Sequence, residues 1–392
     1  MSTPMLSALL LLILSASLAH CTVFNVLDYG AHLNSPSDSG AAFVKAWNAA
    51  CNHDEPKNEV LVPKGTYMMQ HAVLIGPCKA KRIAFLLKGT LKAYPGTYGQ
   101  VDFVTFRYID GLVVKGGGTL DGQGQTTWHH NNCRTNSGCG PFPTNLRFDF
   151  VTNSLVRDIT SLNSKSVHIN IFASNRMNLT NIKILAPDES PNTDGIHMGM
   201  VSRIRITRST ISTGDDCISL SPGSNQVGIH KVVCGPGHGI SIGSLGGSNG
   251  EVVSRVRVKN CTFVNTDNGV RVKTWPSSKT GRVDRLIMEN IVMQNVSNPI
   301  IIDQQYCPTG ACNLQVSSNV QVQNVLFKNI YGTSRSKVAV TLNCSKSNPC
   351  KNVQLQDINL NFNGRHDNTG TVMECTNVHG VSHGRVNPRS CV

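Results

Sequence analysis

Four short polar motifs recur in the middle of the chain at intervals that would bring acids, a base and cations together. They are Asn192-Thr193-Asp194-Gly195, Gly214-Asp215-Asp216, Gly237-His238-Gly239 and Arg271-Val272-Lys273. Asp194 and Asp215 are 21 residues apart, and Asp216 and His238 are 22 apart. From His238 to Arg271 there are 33 residues. A chain that coils with such a period returns each group to one side, with neighbouring strands about 4.8 Å apart.

The three acids suit proton transfer to and from a sugar linkage. Asp215 and Asp216 are adjacent, so one would face the core on a regular strand, which an ionised carboxylate does not tolerate. Both can face outward if Gly214 places them at a bend, with Asp194 one coil below. Repulsion among three close carboxylates raises the pKa of at least one. A protonated acid beside an ionised base is the pair that glycoside hydrolysis requires.

The remaining motifs supply an imidazole and two cations. His238, one coil above the paired acids, could control the protonation of these acids. Arg271 and Lys273 are two residues apart, so both point to one face of a strand. They could clamp a carboxylate of the substrate, because the planar Arg fork suits a bidentate contact.

Other interpretations of each motif stay open. Asp-Asp pairs are common in turns, and a histidine between glycines could itself be a turn residue. Asp194, Asp215, Asp216 and His238 could also bind calcium or a transition metal, although EF-hand spacing is lacking and the nearby cations oppose a metal. The one-coil spacing of all four motifs together favours a catalytic site over these interpretations, and no metal or other cofactor is expected there.

A weak repeat predicts the element that positions these groups. An Asn- or Asp-like residue followed by an apolar one recurs at Asp158-Ile159, Asn181-Ile182, Thr210-Ile211, Val232-Val233, Asn260-Cys261, Asn290-Ile291, Asn324-Val325 and Asp357-Ile358. The intervals are 23, 29, 22, 28, 30, 34 and 33 residues, a period typical of a solenoid. Short β-branched runs without helices indicate a parallel β-helix, in which stacked Asn side chains bond along the ladder. Leucine-rich repeats share the period, but their leucine pattern is missing.

One helix is predicted ahead of the repeats. A short strand over 22–30 is followed by Ser37-Asp38-Ser39 as helix start, and then by apolar residues on one helical face. These are Ala42, Phe43, Ala46, Trp47 and Ala50. Such a helix would cover the open end of the strand stack, where unpaired backbone recruits other chains. The expected fold is therefore an all-β, single-domain parallel β-helix over 21–392 with an N-terminal capping helix.

Residues 1–20 are expected to be a signal peptide. The run from Leu6 to Ala19 is apolar, too short for a membrane span, and ends in small residues. Cleavage would fall before His20 or after Cys21, and a buried N-terminal helix is the alternative. Later apolar runs also fall short of a span, so we expect a secreted chain with no membrane-spanning segment.

Fourteen cysteines in such a chain indicate disulfides. The expected pairs are Cys133/Cys139, Cys307/Cys312, Cys344/Cys350, Cys375/Cys391, Cys51/Cys78 and Cys217/Cys234. Cys261 falls on a ladder position held elsewhere by Ile or Val, which predicts a buried, unpaired thiol. Four sequons, at Asn178, Asn260, Asn295 and Asn343, fit a secreted glycoprotein.

The charge balance bears on the partner. Lys plus Arg number 36 against 23 Asp plus Glu, a net charge of +13, which draws a secreted protein to polyanions. Aromatic residues are only 6% of the chain, and basic blocks with interleaved aromatics are lacking. An acidic extracellular polysaccharide therefore fits better than nucleic acid, with general solubility as the plain alternative.

The four motifs strongly resemble those of the polygalacturonases, glycoside hydrolase family 28, and the resemblance runs from about Val23 to the C-terminus. It extends to a tyrosine, Tyr306, in Asp303-Gln304-Gln305-Tyr306-Cys307. The resemblance implies a right-handed parallel β-helix and metal-free hydrolysis of α-1,4-linked galacturonan with inversion. The implied roles are general acid for Asp215, water activation for Asp194 and Asp216, and proton tuning for His238. Sugar binding is implied for Asn192, Arg271, Lys273 and Tyr306.

The resemblance is greatest to the plant pollen type, whose members are often exo-acting, so we expect a monomeric, secreted exo-enzyme that acts on pectin in the cell wall. Three alternatives remain. A pectate-lyase-like β-helix would need calcium and would leave an unsaturated sugar end. A non-catalytic β-helix would only bind pectin or a surface, and related hydrolases would take rhamnogalacturonan or substituted substrates.

Overall fold

The structure is a computed structural model that describes residues 21–96, 101–132, 142–363 and 370–392. The expected signal peptide over 1–20 and the expected pair Cys133/Cys139 lie outside the described residues. Within them, no helix has the length and apolar character needed to cross a membrane.

Two parallel sheets run the length of the chain and make the fold all-β, as predicted. The eleven-strand sheet contains Ala72–Ile75, Val104–Arg107, Leu146–Asp149, Ile169–Phe172, Ile196–Gly199, Ile218–Leu220, Ile240–Leu245, Asn268–Thr274, Asn298–Asp303, Val338–Asn343 and Val372–Thr376. The nineteen-strand sheet contains Cys21–Asn25, Lys57–Val62, Thr66–Met69, Arg82–Leu87, Thr90–Ala93, Leu112–Lys115, Thr119–Asp121, Thr152–Leu162, Asn175–Leu185, Ser202–Thr207, Thr210–Ser212, Asn225–His230, Val233–Cys234, Glu251–Lys259, Thr262–Val264, Thr280–Val296, Asn319–Ser334, Cys350–Phe362 and Val378–Asn387. Successive coils alternate between the sheets, which is the arrangement of a parallel β-helix.

The core lies between the sheets and is built from inward side chains that stack coil on coil. Ile159 pairs with Ile182 in the register of neighbouring strands, and both are buried. Each such aliphatic side chain contributes about 1.5–3 kcal/mol when fully removed from water. Burial alternates along the strands, so polar residues face outward between the core residues. Apolar side chains stacked coil on coil therefore hold the two sheets together.

Asparagine ladders stabilise the bends between strands, as the repeat predicted. Asn181 donates its amide to Asp158 at 2.6 Å, and Asn290 and Asn329 continue a second ladder from Asn260 at 3.1 and 2.9 Å. All five residues have φ between 50° and 54°, a left-handed conformation that Asn and Asp tolerate better than other residues. Side-chain amides therefore serve both the backbone turn and the contact between coils.

The predicted register is only partly correct, because most coils of the nineteen-strand sheet bend twice. Cys261 precedes Thr262 as Ile291 precedes Val292, so this pair aligns as expected. Val325, in contrast, pairs with Leu286 and Val353, whereas Ile291 pairs with Ile330. This coil bends at Asn324 and again at Asn329, and both residues have positive φ. The sequence repeat placed Asn324 in the ladder that Asn329 in fact continues.

The same error affects Ile211 and Val233. Ile211 pairs with Ile184 rather than Ile182, and Val233 pairs with Thr210. Both residues lie after the second bend of their coils, at Arg208 and Lys231, rather than directly on it. The predicted solenoid period is still correct, because assigning a residue to the wrong bend of its coil does not change the number of residues in the coil.

The predicted capping helix is present at Gly40–Asn52, after a strand, Cys21–Asn25, and a 3-10 turn, Val26–Tyr29. Ser39 occupies the N-cap, but its hydroxyl accepts the N–H of His32 rather than one of the helix; instead Asp38 accepts the N–H of Gly40 at 3.0 Å. The face of the helix that points inward is buried in the core and comprises Ala42, Phe43, Ala46, Trp47, Ala50 and Cys51. The helix thereby covers the first strands of the stack. It is the one α-helix among the described residues.

Five of the expected disulfides lie in the part of the chain that the structure describes, and all five are formed. They are Cys51–Cys78, Cys217–Cys234, Cys307–Cys312, Cys344–Cys350 and Cys375–Cys391. Cys261 is buried and unpaired, as predicted, and burial raises the pKa of its thiol to about 11.

Candidate active site

The four motifs meet on the eleven-strand sheet, on consecutive coils. His197, Ser219, Ser241 and Arg271 occupy one register position on four neighbouring strands. Asp194, Asp216 and His238 each lie three positions ahead of a residue of that polar row, just before these strands, and Asp215 directly precedes Asp216. The structure therefore brings the motif residues together, as their spacing predicts.

The turn that carries the paired acids is held by the coil below it. Gly214 donates its N–H to the Thr193 hydroxyl at 3.0 Å, and Thr213 donates its hydroxyl to the Asp215 carbonyl. A bend is found here as expected, but Gly214 does not have a positive φ. A Cβ atom at Gly214 would lie 2.1 Å from the Ser190 carbonyl oxygen. Glycine is needed for this close approach of two coils, which brings Asp215 and Asp216 next to Asp194.

The backbone conformation requires the two glycines of the Gly-His-Gly motif. Gly237 and Gly239 have φ of 125° and 82°, values that side chains with a Cβ rarely adopt. The His238 N–H donates to the Asp215 carbonyl at 2.8 Å. Cys217–Cys234 links the coil of the acids covalently to the segment that leads into this motif. His238 is thus placed one coil from Asp215 by backbone and disulfide together.

Asp216 is a buried carboxylate held by two cations. Lys273 Nζ lies 2.8 Å from Oδ2, and Arg271 Nη2 lies 2.7 Å from Oδ1. The Ser241 hydroxyl donates to Oδ1 at 2.7 Å and accepts from Arg271 Nε. Burial opposes ionisation of Asp216, but Lys273 and Arg271 outweigh it and hold the pKa of this carboxyl well below its usual range. Asp216 is therefore ionised throughout the ordinary pH range.

Asp215 shares a hydrogen bond with the imidazole. His238 Nδ1 lies 2.9 Å from Asp215 Oδ1, and His238 Nε2 lies 3.7 Å from Asp267. Burial lowers the pKa of His238, but the bond to Asp215 and the charges of Asp215 and Asp216 raise it overall. Asp215 therefore favours the protonated form of His238 and holds that imidazole beside its own carboxyl group.

Asp194 has a different surrounding, with hydroxyls and an imidazole rather than cations. Ser219 donates its hydroxyl to Asp194 Oδ2 at 2.7 Å, and His197 Nδ1 lies 2.7 Å from the Ser219 oxygen. Ser221 lies 3.2 Å from His197 Nε2 and completes the chain. Burial, followed by the charge of Asp215, raises the pKa of Asp194. Asp194 and Asp216 thus differ in proton affinity although they share one site.

The residues expected to bind sugar lie beside the acids. The Tyr306 ring lies 5.3 Å from Lys273 Nζ, 5.8 Å from Arg271 Cζ and 5.2 Å from the Trp275 ring. Asn192 Oδ1 is buried without a hydrogen-bond partner among the described residues. A buried acceptor without a donor points to a missing hydrogen-bond donor such as a hydroxyl.

A metal is also conceivable at this site, since ligand atoms of Asp215, Asp216 and His238 lie within 4.8 Å of one another. The donor set fits a cation poorly. Both oxygens of Asp216 already accept charge-assisted bonds from Arg271 and Lys273, and His238 Nδ1 is engaged by Asp215. A bound cation would have to displace these contacts and would face the charges of Arg271 and Lys273.

Sequence reasoning missed His197, Ser219, Ser241 and Asp267, although a signal for the first three exists. Each of them stands three positions after a motif residue, as Arg271 stands three after Asn268. A strand that begins after a bend turns every such residue to the same face as its neighbours. The recurring polar residue at that offset was therefore readable as a row beside the acids.

A model of the family "Glycosyl hydrolases family 28" matches residues 51–391. An exopolygalacturonase of Platanus acerifolia is 49% identical over 346 residues, covering 88% of this chain and 91% of that protein. A polygalacturonase of Gossypium hirsutum is 44% identical over 392 residues, covering 99% and 95%. The crystal structure of an endo-xylogalacturonan hydrolase from Aspergillus tubingensis superposes with a TM-score of 0.79 at 21% identity, covering 92% of this chain and 99% of that one. The fold is accordingly the right-handed parallel β-helix.

Proposed function

Because the chain belongs to glycoside hydrolase family 28, we propose that it is a polygalacturonase, which hydrolyses α-1,4-galacturonosyl linkages of pectin with inversion. The observation that carries the proposal is the different surroundings of two adjacent acids: Asp216 is held ionised by two cations, whereas Asp215 lies 2.9 Å from the imidazole of His238, which can supply a proton. An ionised base beside a proton donor is the requirement of an inverting glycosidase.

In the proposed reaction Asp215 protonates the leaving oxygen while Asp216 and Asp194 activate the attacking water. His238 Nδ1, 2.9 Å from Asp215 Oδ1, is placed to pass a proton to this carboxyl. Asp216, which stays ionised, accepts a proton from the water. Asp194 is the more basic of the two carboxylates because its pKa is raised. A single displacement on the face opposite the leaving group inverts the configuration of the sugar.

We assign Asn192, Arg271, Lys273 and Tyr306 to substrate binding. Arg271 uses Nε and Nη2 for Ser241 and Asp216, which leaves Nη1 for an oxygen of the sugar carboxylate. The cations thus have a second function besides the predicted clamp, namely to keep Asp216 ionised. The unpartnered Oδ1 of Asn192 suits a sugar hydroxyl.

Several finer points belong to the proposal. The name of the relative from Platanus acerifolia favours exo action, and relatives named polygalacturonase favour a secreted protein that works in the cell wall. We further propose a monomer of one catalytic domain over 21–392, because the helix caps the first coils and leaves the acids accessible without a second subunit.

The test is to follow the products from polygalacturonate by NMR, with and without a chelator. We expect a saturated product whose first-formed anomer is β, monomer from the outset, and unchanged activity in EDTA. Activity that vanishes in EDTA, returns with calcium and yields an unsaturated sugar end would replace the hydrolase by a lyase. A first-formed α anomer would refute inversion, and an early ladder of oligomers would refute exo action.

A further inference from the structure

A long groove lies on the outer face of the nineteen-strand sheet, on a different sheet from the acids. It consists of two neighbouring cavities of about 440 and 330 Å³, and Arg257 lines both of them. Its floor follows one column of paired residues along the stack. The column comprises Arg205, Gly228, Arg257, Ile287, Leu326 and Gln354.

The shape of the groove suits an extended chain. Six coils contribute to the column, so five steps of about 4.8 Å give a length of roughly 24 Å along the stack. At Gly228 a Cβ atom would find nothing within 4 Å, which leaves the groove open there. Ile287 and Leu326 make its floor apolar at one end, and amides including Asn352 stand beside them. An apolar floor with amides at its rim can take the flat face and the hydroxyls of a sugar.

The charge of the groove is one-sided. Among the described residues that line the two cavities, five are cationic and none is acidic; the cations are Arg205, Arg255, Arg257, Arg285 and Lys259. Glu289, outside the lining, neutralises part of this charge through Arg257 and Lys259. Asp284 likewise pairs with Arg285 at 2.9 Å.

Two of the cations have no acid to neutralise them. Arg205 has no ion pair among the described residues, and Arg255 bonds only to the neutral Asn225 Oδ1. The crowding of positive charge is felt by His230, which also lines the groove. Burial, followed by Lys231, lowers the pKa of His230. The groove is therefore a site where an anion would relieve repulsion.

We propose that this groove is a second, non-catalytic binding site for a linear polysaccharide that carries carboxylates. Its cations would bind the carboxylates, and its apolar floor and amides would bind the sugar rings and hydroxyls. Nucleic acid fits less well, because none of the described lining residues is Phe, Tyr or Trp, the large rings on which successive bases stack. Bound there, the protein would stay attached to an acidic polymer while its acids act elsewhere, so the inference does not depend on the proposed chemistry.

The experiment measures affinity for polygalacturonate by affinity electrophoresis, with every variant made in an Asp215→Asn background so that the polymer is not cut. The test variant is Arg205→Gln/Arg255→Gln. Its matched control is Lys45→Gln/Lys88→Gln, which removes the same charge from exposed sites outside the groove. The second ligand is fully methyl-esterified polygalacturonan, which keeps the sugar backbone and lacks the charge.

We expect the test variant to bind polygalacturonate about three- to tenfold more weakly than its background, because two exposed charge contacts are lost. The control should bind as the background does, and the methyl ester should bind weakly to all. Arg205→Lys/Arg255→Lys should retain most of the affinity, which separates lost charge from misfolding. Hydrolysis of a galacturonate trimer, with Asp215 intact, should be the same with and without the groove substitutions.

Three results would overturn the site. Equal losses in the test and control variants would show only the effect of net charge. Equal affinity for the methyl ester would remove the carboxylates from recognition, and equal affinity for duplex DNA would show a general polyanion surface. A failed polygalacturonase assay together with groove-dependent binding would refute the proposed function and leave the groove site in place.

Discussion

At the scale of single residues, the partners of each carboxylate determine what that carboxylate can do. Asp216 has Arg271 and Lys273, Asp215 has His238, and Asp194 has the Ser219 hydroxyl. Three identical side chains therefore have three different surroundings within one site, and the pKa of Asp194 is raised whereas that of Asp216 is lowered.

Asp215→Asn tests the assignment of the general acid. The amide keeps the size of the side chain but cannot donate a proton to the leaving oxygen, so we expect kcat to fall about 10²–10⁴-fold. A galacturonide with a good leaving group needs less protonation and should partly restore the rate. Asp194→Asn and Asp216→Asn should be impaired without such rescue, and the exposed Asp54→Asn should be fully active.

Rescue of Asp194→Asn or Asp216→Asn instead would exchange the roles of acid and base. Loss of thermal stability in all three variants together with loss of activity would make these acids structural.

Lys273→Met tests the cause of the low pKa of Asp216. The substitution removes a positive charge at 2.8 Å, so the pKa of Asp216 should rise by about 1–3 units. Because Asp216 must be ionised to accept a proton, activity is lost as pH falls through its pKa. The acid limb of the kcat/KM profile should therefore move to higher pH, while the exposed Lys279→Met leaves it in place. An unmoved acid limb would mean that Asp216 does not set it.

The residues of the site could be predicted from the sequence only where a motif or a spacing marked them. Asp194, Asp215, Asp216 and His238 were recognisable for both reasons. The pairing of Arg271 and Lys273 with Asp216 was not, because a side chain two or three coils away in space has no fixed distance in sequence. Asp267 was missed since it lies outside the polar row, and its side chain reaches the site at His238.

At the scale of elements, the repeat can be recognised from the residues at the bends rather than from those within the strands. Asn290 donates to Asn260 and accepts from Asn329, with φ of 54°. The repeat revealed these ladders, but it did not distinguish the two bends of each coil. Both bends accept the same residue types for the same reason, so composition alone cannot separate them.

Asn290→Gly and Asn290→Ala separate the two functions of a ladder residue. Both variants lose the two amide bonds, which contribute about 0.5–1.5 kcal/mol each. Alanine also pays the cost of a left-handed backbone, about 1–2 kcal/mol, which glycine avoids. Thermal unfolding should rank the wild type above Asn290→Gly and that above Asn290→Ala. Equal midpoints for the two variants would show that the backbone at this bend is not strained.

At the scale of the whole molecule, the solenoid was predictable because its period survives local errors of register. The capping helix was predictable as well, since its apolar face repeats at helical spacing. Its contacts were not: Trp47 packs edge-on against Phe106 at 5.5 Å and donates to the Ile75 carbonyl. Neither partner has a signature in the sequence around the helix.

Trp47→Ala tests the helix as a cap. Truncation of a buried Trp costs about 3–5 kcal/mol, and a loosened helix would expose the strand edges beneath it. We expect a lower unfolding temperature and concentration-dependent association in light scattering. The exposed Lys45→Ala on the same helix should change neither. A destabilised but strictly monomeric Trp47→Ala protein would show that the helix adds stability without protecting the end.

The asparagine ladders also align side-chain amide dipoles along the axis of the stack. In each ladder described above the amide N–H points to the preceding coil, and the first rung of one of them is Asp158, which can only accept. On the eleven-strand sheet Asn298 donates to Asn268, and Asn268 donates to the His238 carbonyl. These side-chain dipoles add, with their positive ends towards the coil of His238. The amides of Asn298 and Asn268 therefore favour negative charge at the coil of His238, next to the three carboxylates.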